Sequence, residues 1–213
     1  MMLRDPSAYN FSFMAVSLRP DLARIVAELY LVHRDWDVVK QRVLATNALQ
    51  CRTSSSAVRM ERELRLRLAT LTEKQLEILT TSPADERAAI SWLAAVKHIR
   101  FAFDFAADML RDKLAAHEPV LRYSDYETFL ETKAPFHPEL ARLRPSSKNK
   151  LRQILLQMLA EAGLVEPGST VMAIHRPFLS TTILDTIRSD NPRWLAGFLF
   201  PDEEIGASRC LPS

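Results

Sequence analysis

The stretch RLRPSSKNKLRQILLQMLAEAGLV, residues 142–165, decides the fold expected for the carboxy-terminal half. Its apolar side chains recur at helical spacing, which requires one buried face; they are Leu151, Ile154, Leu155, Met158, Leu159 and Ala162. Ser146 or Ser147 can cap the first turn through a hydroxyl, and Gly163 is a typical helix stop. The stretch therefore predicts one amphipathic helix with both ends marked.

The amino-terminal end of this helix is strongly basic. Residues 142–152 contain no acid and five cations, namely Arg142, Arg144, Lys148, Lys150 and Arg152. Free backbone N–H groups at a helix start also favour a phosphate. The candidate contacts to DNA on this helix are Arg144, Ser147, Lys148, Lys150 and Arg152. A basic helix by itself is usually only a helix with one solvated face. The neighbouring segments of the chain must therefore show whether this helix belongs to a DNA-binding fold.

The neighbouring segments favour a winged helix-turn-helix. Residues 124–134 predict one capped helix, and residues 138–143 a short second helix that starts with Pro138. Residues 164–174 predict a small β-hairpin around Pro167-Gly168. In a winged helix the third helix enters the major groove and the wing meets the DNA backbone. The alternative is a winged helix that binds protein.

The sequence pattern of the amino-terminal half also predicts helices. Helices are predicted from Pro20 to about His33, after Asp35 to about Ala45, and from Ala57 to about Leu71 behind a Thr53–Ser56 cap. Residues 82–117 predict one long, buried helix. The fold class is therefore mainly α, with a helical bundle in residues 1–120 that contains a helix-turn-helix-like element. A winged-helix domain is expected in residues 121–213.

Arginines on the third of these helices form a second candidate nucleic-acid site. Arg52, Arg59 and Arg62 are the candidates, and the buried stripe of the helix leaves Arg59, Arg62, Arg65 and Arg67 toward solvent. Glu61 and Glu63 stand at i,i+4 spacing to the last two arginines, so much of the charge can be compensated internally. We favour an ordinary solvated face here.

Composition limits the other functions. The 213 residues are 47% hydrophobic and carry a net charge of only +2, so nucleic-acid binding must come from local clustering. The chain has only four glycines and no phosphate-binding glycine loop. Its five histidines lack metal-ligand spacing. We expect no enzyme activity, no cofactor and no metal.

The expected location is the cytoplasm. The start of the chain lacks the pattern of a secretory signal, and two cysteines without CxxC spacing suggest free thiols. Residues 88–110 are apolar enough to suggest a membrane span, but Lys97, Arg100 and Asp104 lie in their middle. Such charges oppose insertion, so no membrane association is expected.

Residues spread along the chain follow the pattern of a known family. In the amino-terminal half they are Asp35-Trp36, Asn47, Arg52-Thr53, Arg62-Glu63, Arg67-Leu68 and Leu71. In the carboxy-terminal half they are Asp125, Tyr126, Phe129, Lys133, Ser146-Ser147, Lys150, Arg152 and Glu161-Ala162-Gly163-Leu164. On these residues the chain resembles the BrxA family of bacterial BREX anti-phage defence systems over nearly its whole length. The family pattern has Thr where this chain has Ser147, a change that keeps the hydroxyl.

The resemblance implies a small, largely helical, non-enzymatic component of a defence island that binds double-stranded DNA. Its other partners would be further BREX proteins. Two alternatives remain open beside duplex binding. One is a scaffold that docks a larger defence enzyme, which requires an exposed apolar patch. The other is RNA binding through Arg52, Arg59 and Arg62, which the sequence weakens because its aromatic residues fall mostly at core positions.

Overall fold

The computed structural model describes residues 8–166 and 171–207. The longer helices of the amino-terminal half are α1 (Pro20–His33), α2 (Trp36–Ala45), α3 (Ser54–Leu68), α4 (Glu73–Thr81) and α5 (Ala84–His98). Short 3-10 turns occupy Ser12–Ala15 and Pro192–Phe198. The remaining helices are α6 (Arg100–Asp104), α7 (Arg111–Ala115), α8 (Tyr123–Lys133), α9 (Pro138–Ala141), α10 (Pro145–Glu161), α11 (Thr181–Asp190) and α12 (Asp202–Ala207). The mainly α class predicted from the sequence is confirmed.

Local capping explains where the first helices begin. Pro20 is the first residue of α1, and the Asp35 carboxylate accepts from the N–H groups of Asp37 and Val38 at the start of α2. The Thr53 hydroxyl accepts from the Ser56 N–H, so α3 begins three residues earlier than the predicted Ala57. Helices α1 to α5 pack against one another as a bundle.

The prediction of one continuous helix over residues 82–117 is wrong. Ile99 leaves the helical region at φ −109° and ψ 89°, which separates α5 from α6. A π-helical segment over Phe105–Leu110 then joins α6 to α7. Neither glycine nor proline lies at the break. The Ile99 side chain is buried, so we attribute the break to tertiary packing. The burial itself is as expected, because Trp92, Phe101 and Phe105 are fully enclosed.

The strands of the carboxy-terminal half differ from the predicted hairpin. Strand β1 (Val120–Arg122) pairs antiparallel with β2 (Val171–Ala173), although the sequence assigned no strand to residues 120–122. Of the predicted hairpin, the described residues contain one antiparallel bridge, between Val165 and Ile174. Its Pro167-Gly168 turn lies outside the described residues. The physical reason for the difference is that β2 satisfies most of its backbone groups on β1, which is remote in sequence.

Helix α10 follows the predicted pattern at its buried face and its end. The six predicted apolar side chains are all buried. Gly163 adopts φ 70°, and the Leu164 N–H reaches back to the Leu159 carbonyl at 2.9 Å. This left-handed stop favours glycine because it has no Cβ.

A strap formed by residues 8–19 holds the bundle and α10 together. The guanidinium of Arg67 on α3 donates to the carbonyls of Ser17 at 2.7 Å and Val16 at 2.9 Å. The Glu161 carboxylate of α10 accepts from the Ser17 hydroxyl at 2.8 Å and the Leu18 N–H at 2.7 Å. The expectation that Arg67 faces solvent is therefore wrong, because the strap covers it.

The segment after β2 returns to the amino-terminal helices. The 3-10 turn Pro192–Phe198 packs against α5 and the π-helical segment. The Trp92 indole donates to the Gly197 carbonyl at 2.8 Å. Contacts thus cross the predicted boundary between residues 1–120 and 121–213, and that division stays a prediction.

We expect Leu155→Ala to lower the free energy of unfolding by about 2–5 kcal/mol, because the Leu155 side chain is fully buried and leaves a cavity. Lys150→Ala is the control on the same helix, and its exposed side chain should change stability by no more than about 0.5 kcal/mol. Urea denaturation of both variants measures the difference. Equal midpoints would mean that the apolar face of α10 does not contribute to the core.

We expect Arg67→Ala to destabilise by about 3–5 kcal/mol, since it leaves the buried Glu63 carboxylate and two strap carbonyls without their cation. Arg62→Ala removes an exposed arginine from the same helix and is the matched control. Thermal melting monitored by circular dichroism compares them. An Arg67 variant as stable as the Arg62 variant would contradict the role given to the strap.

Candidate nucleic-acid interface

Helix α10 begins without the predicted serine cap. Pro145 is its first residue, Arg144 is the N-cap residue, and no side chain caps the helix. Ser146 and Ser147 therefore lie inside the first turn, because Pro145 has a φ angle preset for the first helical position and no N–H that would be left unsatisfied there. The Ser146 and Ser147 N–H groups have no protein acceptor among the described residues. The start of α10 leaves them for solvent or an external acceptor.

The cations of α10 do not form a single row. Lys148 and Arg152 lie one turn apart on one side of the helix, whereas Lys150 lies about 160° around the axis from Arg152. Arg144 and Lys150 are exposed, and Ser147, Lys148 and Arg152 are half-buried. The predicted site residues of this helix thus come together, but they flank its outward face from two sides.

No carboxylate among the described residues neutralises these cations. The chain has no Asp or Glu between residues 142 and 160. Across the described parts of the chain, no ion pair involves Arg144, Lys148, Lys150 or Arg152. Their charge is therefore available to an external anion.

Arg152 is positioned by an aromatic ring. Its guanidinium lies 4.1 Å from the ring centroid of Tyr123, the first residue of α8. A hydrogen bond to the Glu127 carboxylate raises the pKa of the Tyr123 phenol, so the ring stays neutral at physiological pH. A cation over such a ring is held in place while its charge stays unpaired. Nothing in the local sequence pattern indicates that Tyr123 belongs to the site.

Uncharged polar side chains occupy the outward face between the two flanks. Ser146, Asn149, Gln153 and Gln157 are all exposed. The Gln157 carboxamide donates to Glu161 at 3.0 Å. The carboxamides of Asn149 and Gln153 have no hydrogen-bond partner among residues 8–166 and 171–207. This neutral strip was not among the predicted site residues.

An apolar pocket lies beside the strip. It has a cavity of about 310 Å³ and is lined by Leu121, Tyr126, Leu156 and Met172, with Arg152 at its edge. Burial raises the pKa of the Tyr126 phenol, whose hydroxyl donates to the Lys148 carbonyl at 3.4 Å. This contact joins α8 to the basic turn of α10.

Strand β1 brings a further cation to this side of the protein. Arg122 is exposed and pairs in register with Val171, the first described residue after residues 167–170. Its N–H donates to the Asp125 carboxylate at 2.7 Å, which fixes the start of α8. Arg122 was not a predicted site residue, because the strand that places it was not predicted.

The amino-terminal arginines are a separate group. Arg52, Arg59 and Arg62 are exposed, and the Arg59 side chain donates to the Ser55 carbonyl at 3.3 Å. In the described residues, no hydrogen bond, ion pair or ring contact joins them to α10. The i,i+4 pairs of α3 are present, with Arg65–Glu61 at 2.6 Å and Arg67–Glu63 at 3.2 Å. Much of the arginine charge of α3 is therefore compensated.

The fold and the sequence both have known relatives. A solved crystal structure of an uncharacterized protein from Magnetospirillum magneticum superposes with a TM-score of 0.78 at 22% identity, covering 90% of this chain and 97% of that one. This likeness establishes the mainly α fold. No helix in the described ranges has the length and apolar composition that a membrane span needs.

Sequence comparison gives the family. The BREX protein BrxA of Escherichia coli O9:H4 strain HS is 27% identical over 165 residues, 78% of each chain. The BREX protein BrxA of Paramagnetospirillum magneticum strain AMB-1 is 24% identical over 179 residues, 84% of this chain and 89% of that one. The BrxA family model matches residues 7–191. The chain belongs to the BrxA family.

Proposed function

We propose that this protein is a non-enzymatic component of a BREX anti-phage defence system and binds double-stranded DNA through α10. The observation that carries the proposal is the outward face of α10, where unpaired cations stand on both sides of a neutral polar strip. A polyanion is the natural partner of such a face, since each phosphate contact releases counterions. The family membership and the relatives named BREX protein BrxA support the defence role.

The elements around α10 support a duplex as the partner. Strand β1, helices α8 to α10, the Val165–Ile174 bridge and β2 follow one another in the order of a winged helix. In that arrangement α10 is the recognition helix, with its basic start in the major groove. In the proposed complex Arg122, which pairs with Val171 at the start of β2, contacts the DNA backbone next to the groove.

Two alternatives rank below duplex binding. Docking of a larger BREX protein finds support in Phe136 and Phe178, which are 78% and 91% exposed. Single exposed apolar residues are common on monomeric proteins, so they carry less weight than the face of α10. RNA binding through Arg52, Arg59 and Arg62 lacks an exposed aromatic ring in contact with them among the described residues.

We expect the double variant Lys150→Glu/Arg152→Glu to bind duplex DNA more weakly at every salt concentration. The slope of log affinity against log salt should become shallower by about 1.8, because each lost phosphate contact removes about 0.9. Fluorescence anisotropy with labelled duplex at several salt concentrations measures both quantities. Melting should change little, because Lys150 is exposed and the half-buried Arg152 loses only its contact with the Tyr123 ring, about 0.5–1 kcal/mol.

Two variants with the same change in net charge serve as controls. Lys40→Glu/Lys74→Glu reverses two exposed lysines of α2 and α4, and Arg59→Glu/Arg62→Glu reverses two arginines of α3. Both should keep a steeper salt slope than the α10 variant. If the α3 variant lost binding while the α10 variant kept it, the site would lie on α3. Equal losses in all three variants would indicate only a non-specific effect of net charge.

We expect binding to need neither ATP nor a divalent metal, and the duplex to remain intact. In the part of the chain that the structure describes, no three His, Cys, Asp or Glu side chains converge as a metal site. Labelled duplex is incubated with the protein in the presence of magnesium, ATP or EDTA, and both retention and strand length are followed. Metal-dependent cleavage abolished by a single Asp, Glu or His substitution would falsify the non-enzymatic proposal.

A further inference from the structure

The middle of the outward face of α10 is unusual for a solvated helix surface. Exposed helix faces are commonly filled with Lys and Glu, which pair at i,i+4 spacing. Here Ser146, Asn149 and Gln153 succeed one another at intervals of three and four residues, and all are exposed. The charges stand only at the two flanks of this strip, at Lys150 and Arg152.

Two of the three carboxamides of the strip have no hydrogen-bond partner among the described residues. Neither Asn149 nor Gln153 bonds to a described residue, whereas Gln157, one turn further along, is bonded to Glu161. Each free carboxamide offers one acceptor and two donors in a plane. A neutral amide also costs less to remove from water than a charged group does, so it suits a surface that a partner covers.

The spacing of Asn149 and Gln153 along α10 suits neighbouring base pairs. Asn149 and Gln153 are one helical turn apart, about 6 Å along the axis, which is close to two base-pair steps of about 3.4 Å. When the flanking Lys150 and Arg152 reach the two phosphate walls of a groove, the strip between them faces the groove floor. Asn and Gln bind adenine in a bidentate pair, in which the carboxamide N–H donates to N7 and the carboxamide oxygen accepts from the N6 amino group.

We propose that Asn149 and Gln153 read adenine in the major groove, so that the protein prefers duplexes with adenine at one or two nearby positions. This inference rests on the proposed duplex binding through α10. Lys150 and Arg152 supply affinity for any sequence, and the carboxamides add the sequence preference. A bidentate pair to the correct base discriminates by about 5- to 150-fold.

The test begins with the full chain and a pool of duplexes randomised over 12 central base pairs. The bound fraction is sequenced, and adenine should be enriched at one or two positions. In the best duplex, 7-deazaadenine then replaces adenine at those positions, which removes the N7 acceptor and keeps Watson–Crick pairing. This replacement should weaken binding by the wild-type protein by about 5-fold.

The variants separate base reading from phosphate binding. Asn149→Ala and Gln153→Ala should lose the enrichment and the 7-deazaadenine effect, with the salt slope and the melting temperature unchanged. Gln157→Ala is the matched control, because it removes a carboxamide from the same face that is committed to Glu161. It should keep the preference.

The outcomes distinguish this inference from the proposal beneath it. If the wild-type protein binds all sequences equally and Lys150→Glu/Arg152→Glu still weakens binding, the carboxamides do not read bases and the DNA-binding proposal stands. A preference that persists in the Asn149→Ala/Gln153→Ala double variant also overturns the inference. If the wild-type protein retains no duplex at low salt, both proposals fail.

Discussion

The buried guanidinium of Arg67 is the interaction on which the relation between the bundle and the carboxy-terminal half depends. It is 2% exposed, and it donates to Glu63 on its own helix and to two carbonyls of the strap. Burial lowers the pKa of this guanidinium, and the Glu63 carboxylate opposes that shift. A buried cation is tolerable only when its donors are satisfied, so the strap cannot leave without depriving the Arg67 guanidinium of two of its acceptors.

The strap transmits this constraint to α10. The Glu161 carboxylate at the end of α10 holds the backbone of Leu18 and the hydroxyl of Ser17, next to the two carbonyls bound by Arg67. Further along the strap, the Tyr9 ring stacks on His137 with centroids 3.7 Å apart, and its hydroxyl donates to Asp104 at 2.9 Å. Because both ends of the strap are bonded to both halves, α10 is tied to the amino-terminal bundle at its carboxy-terminal end. A binding surface held in this way loses less conformational entropy when it meets a partner.

The positions of the charged residues matter more for binding an anion than the net charge of the protein. A net charge of +2 cannot attract a polyanion strongly over the whole surface. On α3 the carboxylates stand at the spacing that neutralises neighbouring arginines, and Glu61 and Glu63 are buried against them. On α10 acids are missing over the basic turns, and the first one, Glu161, is used by the strap. The paired arginines of α3 therefore stabilise the fold, whereas the cations of α10 remain available to an external anion.

Much of the helical structure could be predicted from the sequence, because its determinants are local. Pro20, Asp35 and Thr53 start helices through their own backbone or side-chain bonds, and Gly163 ends α10 through its free φ angle. The periodic apolar face of α10 predicted its burial for the same reason. The sequence also identifies the five basic or hydroxyl residues of the predicted site on α10. The structure has Arg144 at the N-cap of that helix and the other four in its first half.

Contacts between distant residues decided the rest. The break at Ile99 and the pairing of β1 with β2 depend on packing and hydrogen bonds that no short stretch encodes. The same holds for Arg67, which looks like a surface residue until residues 16–17 cover it, and for Tyr123, which becomes part of the site only when α8 lies beside Arg152. Helical spacing shows which side chains share a face, but only the folded chain determines which face is buried and which cations lack a partner. Sequence alone therefore determined the helices and the basic character of α10, and the tertiary structure decided that its neutral strip, flanked by unpaired cations, faces outward.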